Sequence, residues 1–406
     1  MNRTQTFVVV GAGLAAAKAV EELRAAGFAG GVVVYGDERH RPYERPPLSK
    51  GYLKGGDELG SVFVHPPEWY RDNGVDLRLG APVLEVDTEG RLVRTADGAQ
   101  RYDRLLIATG ATPRRLAAAD SSGAPVAYLR AIEDSDRIKA AFGEGQRIVV
   151  LGGGWIGLEV AAAAREAGTE VTVVEVLELP LLRVLGPEVA RVFAGLHRER
   201  GVDLRTGTRV ASVERDGDRA AVRLDDGSVL AADLVVVGVG VRPNSDLAEA
   251  GGIGVDNGVV VDEFLRASRP DVFAAGDVAN AYHPVLGRRL RVEHWDNAIE
   301  QGRVAARNML GGELGYDRLP YFFTDQYDLG MEYVGGVGPE GYDEVVLRGD
   351  TEGRVFTAFW LRGRRVLAGM HANDWDAADR VRAIVGTEVD QSRLRDGSVP
   401  LEDVAG

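Results

Sequence analysis

Two short glycine runs carry most of the chemistry this sequence can do. Gly11-Ala12-Gly13-Leu14-Ala15-Ala16 follows the apolar stretch Phe7 to Val10, and Gly152-Gly153-Gly154-Trp155-Ile156-Gly157 follows Ile148 to Leu151. Each reads as a buried strand, a tight turn and a helix start, the arrangement that cradles a dinucleotide pyrophosphate. Gly11 and Gly152 permit the turn. Gly13 and Gly154 let backbone N–H groups reach phosphate oxygens, helped by the positive helix N-terminus. Leu14 and Ala15 open the first helix beside that phosphate. Ala16 and Gly157 take the third position, where a small residue lets helix and strand pack closely. Two cradles imply two dinucleotides, and the expected pair is a flavin that stays bound and a nicotinamide that comes and goes.

Acids placed after each cradle sort the two ligands further. Glu175 stands about 20 residues beyond Gly154, at the end of a strand expected over Glu170 to Val174. A carboxylate there accepts from both ribose hydroxyls and repels a 2′-phosphate, which favours NADH over NADPH. Asp37 and Glu38 occupy the equivalent place in the first unit, and Asp37 is the candidate for the flavin's adenosine ribose. Gly276-Asp277 closes another buried strand, where an aspartate can bond a ribityl hydroxyl; an ordinary strand-end turn is the plainer alternative. His294 and Trp295 are candidates to cover the flavin ring. No histidine–carboxylate cluster has metal spacing, so no metal is expected.

Lys50 and Glu159 are the candidate catalytic pair. Glu159 lies among Ile156, Leu158, Val160 and a run of alanines, so it is expected to be partly buried and to need a partner. Lys50 ends the loop Arg41-Pro42-Tyr43-Glu44-Arg45-Pro46-Pro47-Leu48-Ser49-Lys50, whose prolines stiffen it and deny it a helix. An ion pair there would orient the nicotinamide and offset the charge of reduced flavin; a purely structural salt bridge is the competing reading. The chain has no cysteine. It therefore offers neither an active-site disulfide nor thiolate ligands for an iron–sulfur cluster, and electrons leaving the flavin must go to an acceptor outside the chain.

The elements that position these residues follow from the hydrophobic pattern. In the first half, strands are expected over Thr6 to Val10, Gly31 to Tyr35, Asp76 to Leu79, Val83 to Asp87 and Leu92 to Thr95, with a helix over Leu14 to Ala26. A buried strand runs into the glycine turn at Gly110. The second cradle repeats the motif with a helix over Ile156 to Ala167, and Leu234 to Val237 parallels the strand before Gly110. Beyond a helix over Asn297 to Met309 the pattern changes. Alternation in Tyr342 to Arg348, Arg354 to Leu361 and Arg365 to Met370 predicts antiparallel strands, and a helix over Ala377 to Val385 closes a small α+β domain. Residues past about Ser392 read as a polar tail. The fold class is thus α/β, with two Rossmann-like dinucleotide-binding domains and a small C-terminal α+β domain. The 406 residues suit two or three domains. A formal net charge of −14 argues against wholesale nucleic-acid binding. No leader pattern precedes the first strand and no run of about 20 apolar residues occurs, so a cytoplasmic protein is expected.

The proline loop, the paired cradles, Phe273-Ala274-Ala275-Gly276-Asp277, Val292-Glu293-His294-Trp295 and Thr324-Asp325-Gln326-Tyr327 together resemble the bacterial FAD-dependent ferredoxin reductases. That group spans putidaredoxin reductase, rubredoxin reductases and the reductase components of ring dioxygenases. The resemblance covers nearly the whole chain. It implies a glutathione-reductase-like fold with an FAD domain in two segments (1–113 and 244–319), an NAD domain between them (114–243) and a C-terminal domain (320–406). It also implies FAD contacts from Ala15, Asp37, Lys50, Val83, Arg130, Asp277 and Trp295, with Arg45 a further candidate, and NADH contacts from Gly154, Ile156, Glu159 and Glu175. The implied activity passes electrons from NADH through FAD to a ferredoxin-type iron–sulfur protein that serves a monooxygenase or dioxygenase. Arg288, Arg289 and Arg291, or Arg362, Arg364 and Arg365, are candidates for a basic rim facing such an acidic partner. Two departures stand out: Phe323 where the group carries tryptophan, and Leu179 where many relatives carry arginine, with Arg183 as a possible substitute. An NADH-dependent reductase of a small acceptor such as a quinone is the alternative activity, and a non-enzymatic binding or sensing role is the third.

Overall fold

The computed structural model describes residues 5–404. Their contacts gather into two compact units. One comprises the chain up to Arg45 with Leu59–Thr112 and Val241–Pro320; the other comprises Pro46–Glu58, Pro113–Gly240 and the chain from Tyr321 on.

The first unit is built on a five-stranded parallel sheet in the order Val272–Ala274, Arg104–Ile107, Thr6–Val10, Gly31–Tyr35, Val75–Arg78. Its central strands carry the apolar runs Phe7–Val10, Val32–Tyr35 and Leu105–Ile107 because parallel sheets bury both faces. Val8, Val9, Leu105 and Leu106 are fully enclosed. The helix Leu14–Ala25 returns across this sheet and packs against Trp295–Met309. Alanines at 15, 16 and 19 thin the first helix. On the second, a Cβ at Gly302 would stand 2.4 Å from the Ala15 carbonyl oxygen, so the two backbones nearly touch.

The second unit holds another five-stranded parallel sheet, ordered Asp203–Thr206, Glu170–Glu175, Arg147–Leu151, Leu234–Val237, Val126–Ala127. Its cradle helix is Trp155–Glu166. The C-terminal segment forms a five-stranded antiparallel sheet in the order Tyr321–Gln326, Leu329–Gly335, Arg365–Ala372, Val355–Arg362, Glu344–Asp350. Trp360 lies at the centre of this sheet's packing, with its indole N–H donating to the Leu185 carbonyl at 3.1 Å.

The α/β expectation holds, with element ends shifted by at most two residues. Two local expectations do not, and one helix lies outside them. The segment past Ser392 is no polar tail: Leu394, Leu401 and Val404 are buried, and Gln391–Arg395 is helical, capped by Asp390. The proline loop is not without helix either. Pro46–Ser49 makes a 3₁₀ turn that runs into the short helix Gly51–Lys54, since the φ that proline imposes also suits a helix's first turn. The longest helix, Leu182–Glu199, went unread because Gly186 at φ +73 and Pro187 interrupt its periodicity.

Candidate functional site

The two cradles use their glycines for two different reasons. Gly11 has φ +106, and a Cβ there would fall 2.2 Å from the Ala108 carbonyl oxygen; Gly152 has φ +107 and would meet the Gly238 oxygen at 2.4 Å. These positions are dictated by the fold. Gly13 and Gly154 are not: both have ordinary extended backbone, and a Cβ on either would meet no protein atom within 4 Å. The protein itself has no use for the bareness. Each also begins a helix that lacks a side-chain cap and has no acid in its first turn, which leaves first-turn N–H groups and the positive helix end available. Open space over an uncapped helix start, twice, fits a pyrophosphate at each.

In the first unit the parallel strands bring Gly11, Gly13, Asp37, Gly276 and Asp277 to one sheet edge, at the carboxyl ends of neighbouring strands. Gly276 abuts this cradle's helix, its would-be Cβ 3.1 Å from that of Ala15. Of the two acids after Gly36, Glu38 is engaged, accepting from Tyr43 Oη at 2.5 Å and Arg45 Nη2 at 2.7 Å. Asp37 stands exposed with its carboxylate on the Glu38 N–H, the better placed of the two for a ribose. Desolvation works against the charge of Arg45, but Tyr43, Glu38 and Asp277 outweigh it and raise its pKa. Val83 packs on the unit's core, and Trp295 is the first residue of its helix. Desolvation pushes His294 down to about 4 against the pull of Asp277 and Asp296, so at neutral pH its imidazole carries no charge.

In the second unit Glu175 is buried at its strand end. Its Oε2 accepts from the Gly153 N–H at 2.6 Å and its Oε1 from the Leu177 N–H at 2.8 Å. The carboxylate is thereby fixed beside the glycine turn. Three apolar side chains stay exposed around the same edge, Ile156, Val176 and Val239, each just past a strand's carboxyl end or at the cradle helix start. Apolar surface beside a few fixed polar groups is what a nucleotide base requires. Arg130 gives its backbone N–H to Asp134, which caps the helix Ile132–Lys139.

Lys50 and Glu159 do meet, both within this unit. Lys50 Nζ is 2.6 Å from Glu159 Oε1, and Glu159 is 3% exposed. Two hydroxyls complete the carboxylate's surroundings: Ser49 Oγ donates to Oε2 at 2.5 Å and Thr324 Oγ1 to Oε1 at 2.6 Å. Phe323 presents its ring to the Lys50 ammonium, 5.2 Å from the centroid, a cation–π contact that retains part of what an indole would give. Sequence reasoning found the pair and missed Ser49 and Thr324 as its partners. The signal was available, because a carboxylate expected in an alanine-rich helix needs more donors than one lysine supplies. Of the residues the resemblance assigns to FAD, Ala15, Asp37, Arg45, Val83, Asp277 and Trp295 lie in the first unit, and Lys50 and Arg130 lie in the second.

Comparison with known proteins adds independent findings. A family model described as pyridine nucleotide-disulphide oxidoreductase matches residues 5–302, and one described as reductase C-terminal matches residues 321–405. The chain is similar to putidaredoxin reductase of Pseudomonas putida, 38% identical over 100% of this chain and 97% of that protein. It is also similar to the ferredoxin–NAD(+) reductase component of the anthranilate 1,2-dioxygenase system of Burkholderia cepacia, 41% identical over 98% of each. Among solved structures it superposes on the reductase of a covalent putidaredoxin reductase–putidaredoxin complex with a TM-score of 0.94, covering 99% of this chain and 98% of that one at 38% identity.

Proposed function

The chain belongs to the pyridine nucleotide-disulphide oxidoreductase family, among its bacterial FAD-dependent ferredoxin reductases, and from that premise we propose that it is an NADH:ferredoxin oxidoreductase serving a monooxygenase or dioxygenase. The observation that carries the reading is the pair of uncapped cradles with bare Gly13 and Gly154, in a chain that has no cysteine to take the electrons itself. Bound at the first cradle, FAD supplies a site that takes a hydride from NADH and gives up electrons singly.

The chain's own residues do the rest. Gly11, Gly13, Leu14 and Ala15 hold the flavin's pyrophosphate, and Asp37 its adenosine ribose. Arg45, Val83, Arg130, Asp277 and Trp295 complete its contacts. Gly152, Gly154, Ile156, Gly157 and Glu175 hold NADH. Glu159 orients the nicotinamide, and Lys50, held by Glu159, places its ammonium to offset charge on reduced flavin. The proposed domains are 1–113 with 244–319 for FAD, 114–243 for NAD and 320–406 for the C-terminal module. Among the described residues no helix is long and apolar enough to cross a membrane, and the proposed compartment is the cytoplasm.

The test is NADH-driven cytochrome c reduction with and without added ferredoxin. A large stimulation by at least one ferredoxin is expected. A quinone turned over faster than every ferredoxin would transfer the reading to the small-acceptor alternative.

Glu175 gives a separate prediction. Its carboxylate, buried at the strand end and fixed by two backbone N–H groups, would meet a 2′-phosphate of like charge. NADH is expected to be preferred over NADPH by about 100-fold in kcat/KM, equivalent to roughly 3 kcal/mol. Glu175→Ala should shrink the preference to about tenfold or less, by lowering the NADH value and raising the NADPH value. Equal kcat/KM for the two nucleotides in the unmodified protein would remove Glu175 from the ribose.

A further inference from the structure

The hydroxyl of Thr324 belongs to a longer buried chain. Gln326 Nε2 lies 3.1 Å from Thr324 Oγ1, and Gln326 Oε1 lies 2.8 Å from His197 Nε2. His197 and Gln326 are 0% exposed, Thr324 is 1% exposed, and all belong to the same unit as Lys50 and Glu159. His197 sits in the long kinked helix Leu182–Glu199, and Thr324 and Gln326 alternate on the strand Tyr321–Gln326.

We propose that His197 and Gln326 are positioning residues for Glu159, fixing the Thr324 hydroxyl as a donor to its carboxylate through a one-way chain of hydrogen bonds. The proposal rests on the reading of Glu159 and Lys50 as the pair that serves hydride transfer.

The direction follows from counting donors. A threonine hydroxyl has one hydrogen and two lone pairs. Glu159 Oε1, at 2.6 Å, is a carboxylate oxygen and can only accept, so the hydrogen must point to it. Gln326 must then present its NH₂ to Thr324, which turns its carbonyl to His197. That carbonyl can only accept, so His197 must carry its proton on Nε2. The other ring nitrogen agrees: among the described residues no hydrogen-bond partner reaches the buried Nδ1. A buried bare lone pair there costs less than a buried unpaired N–H. A second proton on the ring is disfavoured as well, since burial pushes His197 down to about 4 although Gln326 pulls the other way. The tautomer is thus the one that keeps all four groups in register. With the proton on Nδ1, the amide would turn over and take the Thr324 hydrogen for itself. Glu159 would lose one of its two hydroxyl donors, and Lys50 would be left with a carboxylate anchored by Ser49 alone.

Three single variants and one double variant of the FAD-loaded full chain test this. His197→Phe keeps a ring of similar size but removes the donor; it is expected to slow NADH-to-flavin hydride transfer in stopped flow about tenfold, the scale of one hydrogen bond to a charged group. His197→Gln places an amide N–H near the lost Nε2–H and should restore the rate to within about twofold. Thr324→Val cuts the chain next to Glu159. Adding His197→Phe to it should then slow transfer no further, where independent effects would multiply to about 100-fold. A merely structural histidine would lower the Tm without this pattern. A normal rate in His197→Phe, no rescue by glutamine, or multiplying effects would each overturn the proposal.

Nitrogen-15 NMR of histidine-labelled, FAD-loaded protein at neutral pH provides a readout free of turnover. His197 is expected as the neutral Nε2–H tautomer, and the Nδ1–H tautomer or a charged ring would refute the chain outright. Failure of the underlying reading is distinguishable, because the protein carrying both Lys50→Met and Glu159→Gln would then be reduced by NADH as fast as the unmodified protein, whatever the tautomer of His197.

Discussion

Gly13→Val is expected to give a folded protein that purifies without flavin, whereas Gly11→Ala, a smaller change two residues away, is expected to give little folded protein at all. The contrast separates what the chain needs from what its ligand needs. A methyl at position 11 would occupy space 2.2 Å from the Ala108 carbonyl oxygen on a backbone at φ +106. Neither the turn nor the neighbouring strand can give way, and a left-handed non-glycine residue adds its own strain. An isopropyl group at position 13 meets no protein atom at its Cβ, on backbone at φ −91 that any residue adopts. It obstructs only what comes to the helix start from outside. Gly13→Val should therefore keep a cooperative thermal transition while its visible absorbance shows a flavin content below about a tenth of normal, because the isopropyl group stands where the pyrophosphate must approach the helix start. The same change at Gly154, where the backbone is again ordinary and the space again open, should leave the protein yellow and raise KM for NADH about 100-fold, some 3 kcal/mol of lost binding. A yellow Gly13→Val protein would mean that the first cradle does not hold the flavin.

That contrast also marks where sequence reading stops. The parallel strands were legible because Phe7 to Val10, Ile148 to Leu151 and Leu234 to Val237 are unbroken apolar runs that only a sheet buried on both faces requires. The cradles were legible because glycines so spaced, directly after such a run, suit a nucleotide turn and little else. Yet the sequence shows Gly11 and Gly13 as equals, and only the atoms around them separate a glycine the turn demands from one it does not. The helix Leu182–Glu199 was lost to a break at Gly186 and Pro187 that the fold absorbs as a kink. Leu394, Leu401 and Val404 were lost for a different reason. They are scattered among polar and charged residues, and the elements carrying Leu394 and Leu401 pack on Glu344–Asp350 and Ala378–Ile384. The same is true of the site. Glu159 could be expected to seek a partner because its neighbours are apolar, but Thr324 is 165 positions away and His197 is 129 from Gln326. No local pattern encodes contacts of that range.

The Lys50–Glu159 pair admits a prediction that decides between a structural and a functional salt bridge. Removing one member of a buried pair leaves the other's charge uncompensated, at a cost of about 3–5 kcal/mol. With Lys50 gone, Glu159 keeps two hydroxyl donors but no counter-charge, at 3% exposure. Lys50→Met should thus lower stability by several kcal/mol and slow hydride transfer from NADH about 100-fold. Glu159→Gln should weaken both as well, since the amide keeps the volume but cannot hold the ammonium with charge. Combining the two removes the charges together, and replacing both partners of a buried pair is often close to neutral for stability. The double variant should therefore recover most of the lost Tm. What it should not recover is the rate, because the ammonium that offsets charge on reduced flavin and the carboxylate that orients the nicotinamide are both still missing. Stability and hydride transfer then part company: the first returns and the second stays low. If stopped-flow reduction by NADH returned with the Tm, the pair would be a structural salt bridge with no part in turnover, and the functional reading of Lys50 and Glu159 would fall.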